Sequence, residues 1–276
     1  MPLILITNDD GIHSSGLHIL AYALRPLGHC VVIAPDRDNS AVSHSLTMNR
    51  PLKVTKVQDN LYSLDGTPTD CVAIGLKKIL ELRPDLLVSG INPGPNLGDD
   101  IAYSGTVSAA VEGTMYGIPS LAVSLAGSPP YYDYTVAGQV AAWLAGIILE
   151  QGLPENTLLN ANVPAIETIR GVKVTRQGRR LWENAIQETF DPWGRKHYWI
   201  GGGTPHLDPS EDTDANAISA GYISVTPIHL DLTNHAGLDY LKSKCALERK
   251  SDKGKWTWKR IVMRAFVTTR RSFLRR

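Results

Sequence analysis

The sequence predicts a three-layer α/β fold in which a mostly parallel sheet is covered by helices on both faces. In the first half of the chain, short apolar runs alternate with helical patterns, and the runs are continuous rather than alternating. Continuous apolar strands are typical of parallel strands, because helices on both faces bury them from either side. With 276 residues and 43% hydrophobic content, the chain can bury a large core without disulfides or metal clips.

The elements of this fold follow one another along the first half of the chain. Leu3–Thr7 predicts a strand, and the spacing of the apolar residues after it predicts a helix that ends before Pro26 and Gly28. The segment Leu46–Leu64 alternates like an inserted antiparallel hairpin. The remaining expected elements are strands at Cys30–Ala34, Leu86–Ser89 and Leu121–Leu125 and helices at Asp70–Leu80, between the last two strands, and at Val136–Leu149.

The second half of the chain has a different pattern. Residues 178–214 are rich in Trp, Gly, Pro and Asp and have little helical periodicity, and we interpret Arg179–Ile200 as a projecting hairpin arm. A strand at Gly221–Leu232 and a short helix at His235–Leu247 are expected to follow. The sequence thus predicts one domain over 1–247, with a core at about 1–176, an arm at about 177–232 and a terminal helix at about 233–247.

The charge of the chain is unevenly placed. The formal net charge is +1, but residues 248–276 contain 11 basic and 2 acidic side chains, which leaves 17 basic and 25 acidic ones in 1–247. Aromatic and basic residues interleave in this tail, a pattern that also occurs in membrane-surface and nucleic-acid-binding segments. We favour instead a disordered or intersubunit tail that is attracted to the acidic body.

Cysteine usage and hydropathy predict a reduced, cytoplasmic protein. Cys30, Cys71 and Cys245 are widely spaced and form no CxxC pair, which argues against a disulfide framework or a zinc ribbon. The apolar run at the N-terminus lacks the basic residues and the length of a signal peptide, and no run is long enough to predict a membrane span.

The strongest chemical signal is Asn8-Asp9-Asp10-Gly11, directly after the first strand. Ligands bind at the carboxyl ends of the strands in open α/β sheets. Two adjacent carboxylates there repel each other unless a cation or hydrogen bonds compensate their charge. A helix N-cap is the alternative interpretation, which explains one Asp better than it explains two.

Two further strand ends carry polar loops. The loop after Cys30–Ala34 contains Ser40 and also His44, which we expect to be a hydrogen-bonding loop residue rather than a ligand. The loop Ser89–Asp100 contains Asn92, and it leads to Ser104-Gly105-Thr106 at the start of a helix, where free N–H groups bind anions. A helix cap with a flexible loop is the alternative here. Asp9, Asp10, Ser40 and Asn92 together form a set of oxygen donors suited to Mg²⁺ or Mn²⁺, and such an ion beside a helix N-terminus suits a phosphate ester.

Other nucleotide and hydrolase chemistries lack their motifs. The first strand is not followed by Gly-x-Gly-x-x-Gly, and the chain contains neither a Walker A sequence nor Gly-x-Ser-x-Gly. A dinucleotide-dependent, an ATP-driven or a serine-hydrolase mechanism is therefore not expected.

These motifs resemble the SurE family of survival proteins, metal-dependent 5′-nucleotidases and phosphatases, over roughly residues 1–247. The resemblance rests on Asn8–Gly11, Ala34–Arg37, Ser43–Thr47, Gly66–Val72 and, most specifically, Ser89–Asp100 continued by Tyr103–Val107. It departs at Ala41, where the family commonly has Gly, and in the tail after Leu247, which extends beyond the usual family end.

The resemblance implies a Rossmann-like core, an extended β-hairpin arm and a C-terminal swapped segment, with subunits that exchange arms in a homodimer or homotetramer. It also implies one divalent ion per subunit, Mg²⁺ or Mn²⁺, held by Asp9, Asp10, Ser40 and Asn92. Asn96 and Ser104-Gly105-Thr106 match the phosphate-binding positions. We therefore expect hydrolysis of nucleoside 5′-monophosphates, with Asp9 as general base or nucleophile and with activity on other phosphomonoesters. A nucleotide-binding regulatory protein without catalytic activity is the alternative.

Overall fold

The computed structural model describes residues 1–127 and 132–244. Within these ranges the strands are β1 (Leu3–Thr7), β2 (His29–Pro35), β3 (Val54–Gln58), β4 (Leu61–Leu64), β5 (Leu86–Pro93), β6 (Ser120–Ala126), β7 (Thr157–Pro164), β8 (Val172–Val174), β9 (Arg180–Glu183), β10 (Ile186–Phe190), β11 (Lys196–Ile200), β12 (Thr204–Leu207) and β13 (Ile223–His229). The α-helices are α1 (Ser15–Leu24), α2 (Pro68–Ile74), α3 (Gly105–Met115), α4 (Thr135–Gln151), α5 (Asp214–Ser219) and α6 (His235–Lys244).

The main sheet of the described chain has nine strands in the order β3-β4-β2-β1-β5-β6-β7-β13-β8. The six strands from β4 to β7 in this order pair in parallel, while β3 and β13 run antiparallel to β4 and β7. The chain extends the sheet from β1 to one side through β2 and then returns to build the other side from β5. This reversal confirms the predicted Rossmann-like α/β fold, and it places a crevice at the carboxyl end of β1.

Each face of the sheet has its own hydrophobic core. Ile4 and Ile6 of β1 belong to the core that α1 and α4 cover, whereas Leu5 belongs to the core that α2 and α3 cover. Successive side chains of a strand point to opposite faces, so a continuous apolar strand supplies both cores. All three side chains are fully buried, and each such burial contributes roughly 1.5–3 kcal/mol of transfer free energy.

Two predicted elements differ from the structure. The helix expected at Asp70–Leu80 begins at Pro68, because Thr67 caps it in a capping box, and its α-helical part ends at Ile74 and continues as a π-helical segment, Gly75–Ile79. The predicted hairpin at Leu46–Leu64 forms only from Val54, and its second strand joins the main sheet beside β2. Its first strand is an edge strand whose five residues are all exposed, so the alternating pattern there does not correspond to alternating burial.

The predicted arm is present and is longer than expected. Strands β10 and β11 form its outer antiparallel ladder, and β9 pairs with β12 below it. The arm thus spans Arg180–Leu207 rather than Arg179–Ile200, because β12 continues the chain after β11 and pairs with β9. The short helix α5 was not expected, since it lies in a segment without helical periodicity.

The described chain contains one compact unit, Met1–Asp231, and a second unit that starts at Leu232 and includes α6. Cys30 and Cys71 are unpaired, as expected. Among the described residues, no helix is both long and apolar enough to cross a membrane. The predicted domain limits and the cytoplasmic location stay predictions. The tail 248–276, Cys245 and the end of the terminal helix lie outside the described residues.

Candidate active site

The predicted site residues meet in one cleft at the carboxyl end of the central strands. Its volume is about 340 Å³. Six predicted residues line it: Asp9, Asp10, Ser40, Asn92, Asn96 and Ser104. The last two predicted residues, Gly105 and Thr106, lie directly beside Asp9.

Asp9 lies at the centre of the site and is 4% exposed. The hydroxyl of Thr106 donates a hydrogen bond to its Oδ1, and the Asp9 carbonyl accepts one from the Asn39 amide at 2.8 Å. Burial raises the pKa of Asp9, although the bond from Thr106 opposes the shift. Gly105 approaches so closely that a Cβ there would lie 2.8 Å from the Asp9 Cβ, so this position requires the smallest residue.

Asp10 is a largely buried carboxyl group that lies near two other carboxylates. Burial, together with the nearby carboxylates of Asp9 and Asp38, raises the pKa of Asp10 from 3.8 to about 7. Its Oδ2 is buried without a hydrogen-bond partner among the described residues, and so is the Oδ1 of Asn8. A buried carboxylate oxygen without a donor is costly unless a cation binds it.

Ser40 lies on the loop after β2, and its hydroxyl donates to Asp38 Oδ1 at 2.6 Å. The following residue, Ala41, has a positive φ of 58°. This backbone conformation favours glycine, so Ala41 is held in a conformation that is unfavourable for a residue with a side chain. Farther along the loop, His44 Nε2 lies 2.7 Å from Glu112 Oε2 on α3, as expected for a hydrogen-bonding loop residue.

Two asparagines extend the site: Asn92 lies near the end of β5, and Asn96 lies in the loop that follows. Asn92 donates through Nδ2 to the Gly94 carbonyl at 2.8 Å, which leaves its Oδ1 as the remaining acceptor of the amide. Asn96 is buried, and its Nδ2 donates to Ser124 Oγ at 2.8 Å. Its main chain is bound on both sides by Asn162, whose Oδ1 accepts from the Asn96 amide at 2.8 Å and whose Nδ2 donates to the carbonyl at 3.0 Å.

The N-terminus of α3 forms the remaining wall of the cleft. Ser104 is its N-cap, and the Ser104 hydroxyl accepts from the Val107 amide at 3.0 Å. The first N–H groups of a helix have no partner within the helix and carry partial positive charge. Since the Thr106 hydroxyl is bonded to Asp9, the backbone amides of this turn are the groups best suited to an anion.

Several supporting residues were not expected from the sequence. Asn160 and Asn162 hold the Asn96 carbonyl from β7, Asp38 orients Ser40, and Glu112 holds the loop through His44. The two asparagines, separated by one residue in a mostly apolar strand, were the available signal, because side chains at i and i+2 share a face. The role of Glu112 left no sequence signal, since its partner is 68 residues away.

The donor set fits a small, hard cation. It combines two carboxylates, one with an orphaned buried oxygen, with a hydroxyl and an amide oxygen, the ligand types that Mg²⁺ and Mn²⁺ accept. Over residues 1–127 and 132–244, no three His, Cys, Asp or Glu side chains cluster to hold a metal. A metal at this cleft therefore depends on the neutral oxygens of Ser40 and Asn92.

The chain is similar to known proteins over most of its length. The family model described as survival protein SurE matches residues 4–184. The chain is 52% identical to the 5′-nucleotidase SurE of Pelobacter propionicus over 237 residues, 85% of this chain and 96% of that protein. It is 52% identical to the 5′-nucleotidase SurE of Geobacter metallireducens over 242 residues, 87% of this chain and 96% of that protein.

A solved structure is similar as well. The crystal structure of the SurE protein from Aquifex aeolicus shares 45% identity with this chain, covers 88% of it and 99% of its own length, and superposes with a TM-score of 0.78. The match of the family model, the identity to the curated relatives and this structural likeness all concern the core that carries the cleft. The chain therefore belongs to the SurE family of survival proteins.

Proposed function

We propose that this chain hydrolyses nucleoside 5′-monophosphates to nucleoside and phosphate, with activity on other phosphomonoesters. The observation that carries the proposal is the position of two adjacent carboxylates, Asp9 and Asp10, against the N-terminus of α3. A cation site beside an anion site suits a phosphate ester. The relatives that are about half identical over nearly their whole length are named 5′-nucleotidases, which supports this activity.

We assign one divalent ion, Mg²⁺ or Mn²⁺, to Asp9, Asp10, Ser40 and Asn92. When bound, such an ion neutralises phosphoryl oxygens and lowers the pKa of a water ligand. The orphaned oxygen of Asp10 supports the assignment, because a cation there would satisfy it.

The side chains of the cleft then have separate tasks. The backbone amides at Gly105 and Thr106, together with Asn96, hold the phosphate and stabilise its developing charge. Asp9 is the carboxylate nearest the attacking group, as general base or as nucleophile. Because burial raises its pKa, it is a better proton acceptor than an exposed aspartate. The bond from Thr106 fixes the orientation of the Asp9 carboxylate.

Asp9→Asn tests this proposal, since it keeps the shape of the side chain but removes its charge. We expect phosphate release from nucleotides to be lost while the thermal unfolding curve stays cooperative. Asp59→Asn is the matched control, because the Asp59 side chain is 92% exposed on the β3–β4 turn. Near-normal turnover by Asp9→Asn contradicts the assignment. Wild-type protein that binds nucleotides but releases no phosphate with Mn²⁺ or Mg²⁺ favours the regulatory alternative.

We also propose that subunits pair through the arm, as a homodimer or homotetramer with exchanged segments. The arm presents large apolar side chains to solvent, and Trp193, Trp199 and Ile200 are 78%, 68% and 87% exposed. Large apolar side chains exposed along a projecting hairpin are typical of a surface that binds another protein. Light scattering of Trp199→Glu/Ile200→Glu protein is expected to give a smaller mass than wild type. An unchanged mass contradicts the role of the arm.

A further inference from the structure

The loop that carries Ser40 has an unfavourable backbone conformation. Two of its residues, Ala41 and Ser43, have positive φ values of 58° and 57°, a region in which the side chain crowds the backbone. Residues other than glycine keep such a conformation only where surrounding contacts hold it. Before Ser40, the Asn39 amide donates to the Asp9 carbonyl at 2.8 Å. The part of the loop after Ser40 needs anchors of its own.

Two residues anchor this part of the loop, and both reach the wall of the cleft that α3 forms. The Ser43 amide donates to the Tyr103 carbonyl at 3.1 Å, and the Ser43 hydroxyl donates to the Ala102 carbonyl at 2.7 Å. These two carbonyls precede α3, whereas His44 reaches the helix itself, since its Nε2 lies 2.7 Å from Glu112 Oε2. A carboxylate oxygen only accepts, so Nε2 donates. The loop with the predicted cation ligand is thus fastened to the helix whose start suits an anion.

Glu112 is suited to fix the position of His44. It lies in α3 about two turns after Gly105, and its side chain is 9% exposed, against 34% for His44. Within the described part of the chain, His44 is the only side chain that bonds to the Glu112 carboxylate. A buried carboxylate is costly without a donor, so the conformations of the loop that keep this bond are favoured over those that break it.

We infer that His44 is a positioning residue, which through its bond to Glu112 sets the place of Ser40 relative to the carboxylates of Asp9 and Asp10. The inference rests on the proposed function, since it takes Ser40 as a ligand of the divalent ion. Asp9 and Asp10 directly follow the buried strand β1, whereas Ser40 lies on a loop and depends on anchors for its position. In this arrangement His44 touches neither the ion nor the substrate, and the affinity for the ion depends on it.

Mn²⁺ binding to the metal-free protein, measured by calorimetry, tests the inference without any turnover. His44→Ala should weaken Mn²⁺ binding about tenfold, as the loss of a group that supports a ligand does. In a Ser40→Ala background the same substitution should change the affinity less than about twofold, because the ligand that His44 positions is then absent.

Two further variants at the same position separate the bond from the ring. His44→Gln keeps an N–H donor at a similar reach and should stay within about threefold of the wild-type Mn²⁺ affinity. His44→Asn is polar but too short for the bond, and it should lose about as much affinity as His44→Ala. Equal losses in His44→Gln and His44→Ala contradict the role of the bond to Glu112.

His206→Ala is the matched control. His206 Nε2 also lies close to a carboxylate oxygen, 3.0 Å from Glu183 Oε2, but this pair is exposed on the arm, and its loss should leave Mn²⁺ affinity unchanged. An unchanged affinity in His44→Ala, or an equal loss with and without Ser40, overturns the inference while phosphate release by the wild type upholds the proposed function. Wild-type protein that neither binds Mn²⁺ nor releases phosphate from a nucleotide overturns both.

Discussion

Gly105→Ala is a minimal perturbation of the site, because it adds one methyl group beside the central carboxylate. The new Cβ would lie 2.8 Å from the Cβ and 2.9 Å from the Oδ2 of Asp9, whereas ordinary contacts start near 3.4 Å. Asp9 is buried and is held by Thr106, so it cannot move away freely. Either the first turn of α3 or the carboxylate must shift by about 0.6 Å, the difference between the two contact distances.

The size of the effect follows from this displacement. A misplacement of about 1 Å at a reacting group costs roughly 10²-fold in rate, so we expect kcat/KM to fall about 10- to 100-fold. Forcing an extra methyl group into a packed site also costs roughly 1–3 kcal/mol of unfolding free energy. Phosphate release from a nucleotide at saturating Mn²⁺ measures the first effect, and urea unfolding measures the second.

Gly146→Ala is the control for the same substitution in a helix. A Cβ at Gly146 of α4 would have no atom within 4 Å. We expect this variant to keep its activity and to gain about 0.5–1 kcal/mol of stability from the better helix propensity of Ala. If Gly105→Ala keeps its kcat/KM within about twofold of wild type, the close packing of Asp9 against the helix start is not what positions it, and the reasoning fails.

Three further predictions concern the same cleft. Because the pKa of Asp10 is raised to about 7 in the folded chain, its protonation stabilises the metal-free fold below pH 4. Roughly 2–4 kcal/mol of unfolding free energy should be lost as the pH rises to about 7, and the lower value allows for the partial exposure of Asp10. Urea unfolding in EDTA measures this loss, and an unfolding free energy that stays constant over this pH range contradicts the prediction. Thr106→Val removes the hydrogen bond to Asp9 and should weaken Mn²⁺ binding about 10- to 100-fold in calorimetry, and unchanged affinity would show that the bond does not orient Asp9. Ala41→Gly removes the strain of a side chain at a backbone φ of 58° and should raise the unfolding free energy by about 0.5–1 kcal/mol. A lower unfolding free energy of the variant in urea contradicts strain at this position.

The core of the fold could be predicted because its signals are local. Each parallel strand is a short apolar run, and each helix that covers the sheet repeats apolar residues on one face, so β1, α1 and β2 were found close to their observed limits. The arm was found for the opposite reason, since its strand-like residues have no helices to cover them. The π-helical turn at Gly75–Ile79 was missed because its residues carry an ordinary helical pattern.

The site could be predicted only in part, because its supports are long-range. Asp9, Asp10, Ser40 and Asn92 lie at or after the carboxyl ends of strands that must meet at one edge of a parallel sheet, so their proximity follows from the topology. The contacts that hold these four residues in place do not follow from the topology. His44 meets Glu112 from 68 residues away, and such a pairing is set by tertiary packing rather than by any local pattern.

The negative charge of Asp9, Asp10 and Asp38 also bears on the order in which the site can fill. The charge of Asp38 raises the pKa of Asp9, and the charges of Asp9 and Asp38 raise that of Asp10, while a phosphate ester would bring further negative charge into the same cleft. With the divalent ion proposed for this cleft, the same negative charge that repels the substrate favours the cation. We therefore expect the ion to bind before the nucleotide or together with it, and excess nucleotide not to replace missing metal.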